Sequence, residues 1–109
     1  MKIAAAKAGK PMELVMNNER NYGREPEDVS QQKRGFDIIS RGKDEVRYIL
    51  VKASADEGPV RISLAEMSVA KRLKEQYWLY NVLNISKNPE LKLVNNPAGN
   101  LNQNETDSS

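Results

Sequence analysis

Asp37 and Lys52 are the residues whose types and placement in this sequence invite chemistry. Each stands in a short apolar run rich in β-branched or aromatic residues, Gly35-Phe36-Asp37-Ile38-Ile39 and Arg47-Tyr48-Ile49-Leu50-Val51-Lys52, where a charge has no obvious structural purpose. Between the runs, Gly42-Lys43-Asp44-Glu45 reads as a hairpin turn. With that turn centred between Lys43 and Asp44, Asp37 falls across from Leu50, and strand alternation puts Leu50 and Lys52 on one face. A slip of one residue would flip the strand and scatter the group. Glu19 is a third candidate, the next position on a helical stripe formed by Met12, Val15 and Met16. A carboxylate there either reaches past the edge of the apolar face to water or points into a polar pocket, and the spacing favours the first. In the stated register Asp37, position 50 and Lys52 converge at one end of the sheet, and Glu19 can approach from the helix above. Two or three carboxylates around one point can hold Mg²⁺ or Mn²⁺, polarising a phosphodiester and activating water, while a lysine stabilises charge developing on phosphate. The plainer alternative makes Asp37 a surface acid near a turn and Lys52 a base snorkelling from the end of a buried strand.

Composition narrows the chemistry further. The sequence has no cysteine and no histidine, which removes thiolate zinc sites, disulfides, cysteine nucleophiles and any histidine base or ligand. A metal here would be a hard ion held by oxygens. No apolar run approaches the ~18 residues of a membrane span, and the N-terminus lacks the apolar core of a signal peptide. The expectation is a soluble cytoplasmic protein, or a nuclear one in a eukaryote, with no membrane partner. A net charge of +2 is too small to announce a nucleic-acid-binding surface, so any basic groove must be assembled by folding.

A chain of 109 residues suits one domain with one modest core. Residues 1–10 are Ala- and Lys-rich and read as a flexible N-terminal segment, residues 11–101 as the domain, and residues 102–109 as a disordered tail. Pro11 suits the first turn of a helix and Gly23 its C-terminal cap. Arg24–Lys33 reads as a loop with an extended piece around Val29. Strands are expected over Phe36–Arg41 and Val46–Ala53, then a turn at Asp56-Glu57-Gly58-Pro59 and a short strand over Val60–Ile62. Ser63 and Glu66 form a capping box opening a second helix, which ends near Lys74-Glu75. That spacing accounts for Glu66 without chemistry. Tyr77–Ile85 is the most apolar strand, and Leu91–Val94 a further short one. Tyr77, Trp78 and Tyr80 could stack on bases, although aromatics in an apolar strand are more often core; Trp78 faces away from Tyr77. The order implies an α/β domain, a mixed sheet flanked by helices.

Several segments, in order and spacing, resemble the protein NO VEIN C-terminal domain family. They run from Pro11-Met12-Glu13-Leu14-Val15-Met16 and Glu19-Arg20 through Gly23-Arg24-Glu25-Pro26, Gly35-Phe36-Asp37-Ile38 and Arg47-Tyr48-Ile49-Leu50-Val51-Lys52. They continue with Gly58-Pro59-Val60-Arg61-Ile62-Ser63, Glu66, Ala70-Lys71-Arg72-Leu73, Tyr77-Trp78-Leu79-Tyr80 and Asn96-Pro97-Ala98. That family is similar to the PD-(D/E)xK nuclease superfamily, and the resemblance implies a restriction-endonuclease-like fold, DNA as partner, and attachment to a helicase or a DNA-defence protein. It also implies a Mg²⁺ or Mn²⁺ site: Asp37 matches the metal-binding aspartate, Lys52 the motif lysine, and Glu19 a helix glutamate that completes such sites. Position 50 departs, with leucine where the family pattern has glutamate, and Ala53 stands where glycine is common.

Leucine can neither ligate a metal nor accept a proton. Three readings follow: a nuclease-like DNA-associated module with a degenerate metal site; a working Mg²⁺-dependent nuclease on Glu19, Asp37 and Lys52, with Asp37 and Glu19 as metal ligands; or a protein-interaction module without nucleic-acid contact. In a degenerate site, Asp37 and Lys52 would form a simple ion pair.

Overall fold

The computed structural model describes residues 3–54, 60–85 and 87–100, with side chains from Lys10 onward. The expected turn at residues 56–59 and the tail beyond residue 101 lie outside the described residues.

Helix α1 spans Ile3–Asn21 and contains Pro11, so it begins before the proline expected to open it. Strands β1 (Glu25–Asp28), β2 (Ile38–Arg41) and β3 (Val46–Ala53) follow, then α2 (Leu64–Leu73), β4 (Tyr77–Leu83), β5 (Glu90–Asn95) and a short α3 (Pro97–Asn100). The five strands form one mixed sheet in sequence order. β3 and β4, joined through α2, run parallel, and every other neighbouring pair is antiparallel. This is an α/β domain with helices on both faces of the sheet, consistent with a restriction-endonuclease-like fold.

The hairpin register matches the sequence reading, with Ile38 opposite Ile49 and Arg41 opposite Val46. Two expectations change. Glu25-Pro26-Glu27-Asp28, with poor strand propensity, nonetheless pairs with β2 as an edge strand. Val60–Ile62 forms no strand, because β3 already has β2 and β4 on its two sides and offers no free edge there. Ile62 still inserts into the core as the chain enters α2.

Two apolar clusters sandwich the sheet. On the α1 face Val15 meets Ile38, Ile49, Tyr80 and Val82, with Met12 and Met16 packed alongside. On the α2 face Met67 and Ala70 meet Val29, Phe36, Ile39, Leu50, Ile62, Tyr77 and Leu79. Alternation thus assigns every strand side chain to one face, and this assignment decides which candidate site residues can meet.

Candidate functional site

Asp37, Leu50 and Lys52 do share a face, the one covered by α2. Asp37 lies just before β2, where its backbone N–H donates to the Ile49 carbonyl (2.7 Å) and its carbonyl accepts from Val29 (2.8 Å). Its side chain takes the next rung of the ladder, with Oδ2 accepting from the Val51 amide at 2.8 Å. The carboxylate therefore stands in for a backbone acceptor at the point where the chain enters β2. Gly35 sets up that entry. It holds φ +90°, and a Cβ there would come within 2.7 Å of Val69, so neither the conformation nor the space admits a larger residue. Tyr77 secures the same turn by donating its hydroxyl to the Gly35 carbonyl at 2.6 Å.

Lys52 pairs with Glu66, not with Asp37. Its ammonium lies 3.1 Å from Oε1 and 3.3 Å from Oε2 of that glutamate. Glu66 also accepts from the Ser63 amide at 2.9 Å, and its own amide donates to Ser63 Oγ at 3.1 Å, completing the capping box of α2. The box expected from sequence is present, yet it is half of what Glu66 does. Helical geometry explains both contacts: the third residue of α2 curls back over the helix start, and that end stands above β3. Sequence spacing could find the cap because it is local. The pairing with Lys52 depends on how α2 crosses the sheet, and no local signal carries it.

A cavity of about 300 Å³ opens beside these groups, bounded by Ser30, Lys33, Asp37, Leu50, Ser63 and Glu66 among others. Leu50, 2% exposed, lines the cavity beside Asp37 with hydrocarbon. Burial pushes the Asp37 carboxyl above its ordinary value; the Val51 amide pulls it down, Glu66 pushes it further up, and Lys52 opposes.

Glu19 does not join this group. It lies on the α1 face, across the sheet, and its side chain is fully buried rather than reaching for water. Arg24 grips it with two hydrogen bonds, Nε to Oε1 at 2.5 Å and Nη2 to Oε2 at 3.2 Å. Tyr80 donates its hydroxyl to Oε2 at 2.6 Å, and Asn18 donates to the same oxygen at 3.1 Å. Arg47 donates in turn to the Tyr80 oxygen at 2.8 Å, stacks 3.8 Å above the Trp78 ring, and pairs with Glu45 at 2.8 Å. Burial alone would raise the Glu19 carboxyl, but the bonds from Arg24 and Tyr80 outweigh it and hold the group below its ordinary value, with Ser40 helping without reaching hydrogen-bond geometry. The helical stripe located Glu19 correctly on the buried face; it could not show that Arg24, Tyr80 and Arg47 would build a polar pocket there.

Asp37 is engaged by a backbone amide, Glu66 by a lysine and a helix cap, position 50 is hydrocarbon, and Glu19 faces the other way. Among the described residues no three carboxylates gather closely enough to hold an ion. A Mg²⁺ or Mn²⁺ ion wants about six oxygens, and this donor set does not fit one. Of the aromatics considered for base stacking, Tyr77 and Tyr80 are buried and Trp78 is half-buried under Arg47.

No curated protein and no solved structure matches the chain. The family model described as Protein NO VEIN, C-terminal, matches residues 10–94 and so runs from within α1 through nearly all of β5. With the hairpin, the Asp37 and Lys52 positions and the α2 cap all inside that span, the chain belongs to the NO VEIN C-terminal domain family.

Proposed function

We propose that this chain is a nuclease-like, DNA-associated module whose metal centre is degenerate, acting without hydrolysis beside another activity such as that of a helicase or a DNA-defence protein. The observation that carries this reading is the self-neutralisation of the site: Lys52 is spent on Glu66, Asp37 on the Val51 amide, and Leu50 replaces the carboxylate that would draw an ion between them. A hydrolytic site keeps its lysine and acids available for phosphate and metal; here each has an internal partner. DNA association rests on family membership together with Lys33 and the Ser63 hydroxyl at the cavity, the Ser30 hydroxyl being already donated to Asp28 at 2.7 Å.

The test uses labelled duplex and single-stranded DNA followed in parallel for binding and cleavage, with Mg²⁺ or Mn²⁺ present. The expected result is binding at low salt that weakens steeply as salt rises, with the DNA left intact. Cleavage by the wild-type chain that disappears in Lys52→Ala would defeat the degenerate-site reading. Absence of binding to either DNA at low salt would instead favour a protein-interaction module.

A further inference from the structure

The two edges of the sheet are built differently. β1 closes one side with Glu25-Pro26-Glu27-Asp28, four residues carrying three acids and a proline that lacks an N–H. Such an edge repels another strand. β5 closes the other side with Glu90-Leu91-Lys92-Leu93-Val94-Asn95, longer, free of proline and apolar at alternate positions. Among the described residues β5 pairs with β4 alone.

The hydrogen bonds show which backbone groups of β5 are open. The Asn96 amide donates to the Tyr77 carbonyl at 2.9 Å, in step with the register that sets Asn95 opposite Trp78. By alternation the amides and carbonyls of Val94, Lys92 and Glu90 also turn toward β4, while those of Asn95, Leu93 and Leu91 turn outward. Asn95 bears this out, since its carbonyl accepts from the Asn100 side chain at 2.8 Å. That contact caps the end of the edge and leaves Leu91 and Leu93 as its open rungs. Leu93 is also one of the few large apolar side chains left exposed, at 40%.

We infer that this edge is an interface for a second copy of the chain, joined antiparallel across a two-fold axis at Leu91. Outward rungs must meet outward rungs, which permits few registers. Centring on Lys92 sets lysine against lysine, and centring on Glu90 sets glutamate against glutamate; both place like charges directly opposite. Centring on Leu93 leaves both charges without an opposite. Centring on Leu91 pairs Glu90 of each copy with Lys92 of the other, twice, and stacks Leu91 on Leu91. The Leu93 amide then meets the carbonyl of Pro89, a residue whose missing N–H makes it a suitable last rung. The leucines gather on the α1 face and the ion pairs on the α2 face, as alternation requires. The joined sheet would run to ten strands with β1 at both ends, each blunted by its acids and proline. Charge self-complementarity is what selects a second copy over an unrelated peptide as the occupant.

An interface of this size lies at the weak end of specific association, so sedimentation is followed from about 10 μM to 1 mM. The expected result is reversible dimerisation of the wild type. Lys92→Glu should weaken it by about tenfold or more, and the exchanged pair Glu90→Lys with Lys92→Glu should restore it. Leu93→Pro removes an outward amide without touching the ladder to β4, and should leave a folded monomer by circular dichroism. Hydrogen exchange supplies an independent readout, with the Leu91 and Leu93 amides slowing as dimer accumulates. A wild type monomeric throughout, a dimer persisting in Leu93→Pro, or failure of the exchanged pair to restore association would overturn the inference. Protection of those amides in a monomer would assign the edge to another segment of the chain, and would overturn it equally.

Discussion

The two faces of the sheet each carry an acid, Glu19 fully buried on one and Asp37 half-buried on the other, and they treat it in opposite ways. On the α1 face Glu19 receives hydrogen bonds from Arg24, Tyr80 and Asn18, and Arg47 stands behind the tyrosine. On the α2 face Asp37 has a bond from the Val51 amide and an apolar neighbour in Leu50. The first arrangement secures a permanent negative charge as part of the fold. The second holds an acid whose charge is only partly compensated, beside an open cavity.

The largest effect should come from breaking the compensated face. Glu19→Ala strands Arg24 and leaves the Tyr80 hydroxyl without its acceptor, which by the usual cost of opening a buried pair is about 3–5 kcal/mol. Urea unfolding measures this, and a loss below ~1 kcal/mol would show that the network contributes little. Next is Leu50→Glu, which puts a third carboxylate into a buried apolar site beside Asp37 and Glu66; it should cost about 2–4 kcal/mol in the absence of divalent ions. Tyr80→Phe should cost about 1–2 kcal/mol, removing one buried donor while Arg24 remains. Lys52→Met should cost ~1 kcal/mol or less, because the Lys52 and Glu66 side chains are 32% and 21% exposed and the pair is partly screened. If Lys52→Met cost as much as Glu19→Ala, the contrast between the faces would fail.

The smallest effects are the pH dependences, and they should differ in sign. Glu19 titrates below its unfolded value near 4.5, so its contribution is present above that pH and is lost as pH falls through the lower folded value. Asp37 titrates above its unfolded value near 3.8. It favours the fold while protonated, and that advantage is lost as pH rises from there through the raised folded value. Acid unfolding followed by fluorescence should become less steep in Glu19→Gln. In Asp37→Asn the decline of stability with rising pH over its own window should vanish. Loss of the acid limb in Asp37→Asn instead would reverse the assignment.

What could be read from the sequence was what is local. The limits of β3, the hairpin register that sets Asp37 across from Leu50, and the cap formed by Ser63 and Glu66 all depend on residues close in the chain. Non-local partners were hidden. The bond from Tyr80 to Glu19 joins residues 61 apart, and that from Tyr77 to Gly35 joins residues 42 apart, so neither leaves a mark in spacing. Glu66 looked fully explained by its cap, which masked its second contact with Lys52. Val60–Ile62 has strand-like residues but β3, with β2 and β4 on its two sides, has no vacant edge for it to join, while β1 has residues unsuited to strands and an edge that accepts them. Availability of a partner decided both cases against propensity.

The central claim is that position 50 decides whether the α2 face can hold a metal. Its most direct test is a Mn²⁺ titration of the wild type and Leu50→Glu, followed by electron paramagnetic resonance of free Mn²⁺ and by thermal unfolding in the same samples. The wild type should show no saturable binding and no thermal shift. Leu50→Glu should bind one ion, with stability rising as Mn²⁺ increases. Saturable binding by the wild type that is abolished in Asp37→Asn would contradict the claim.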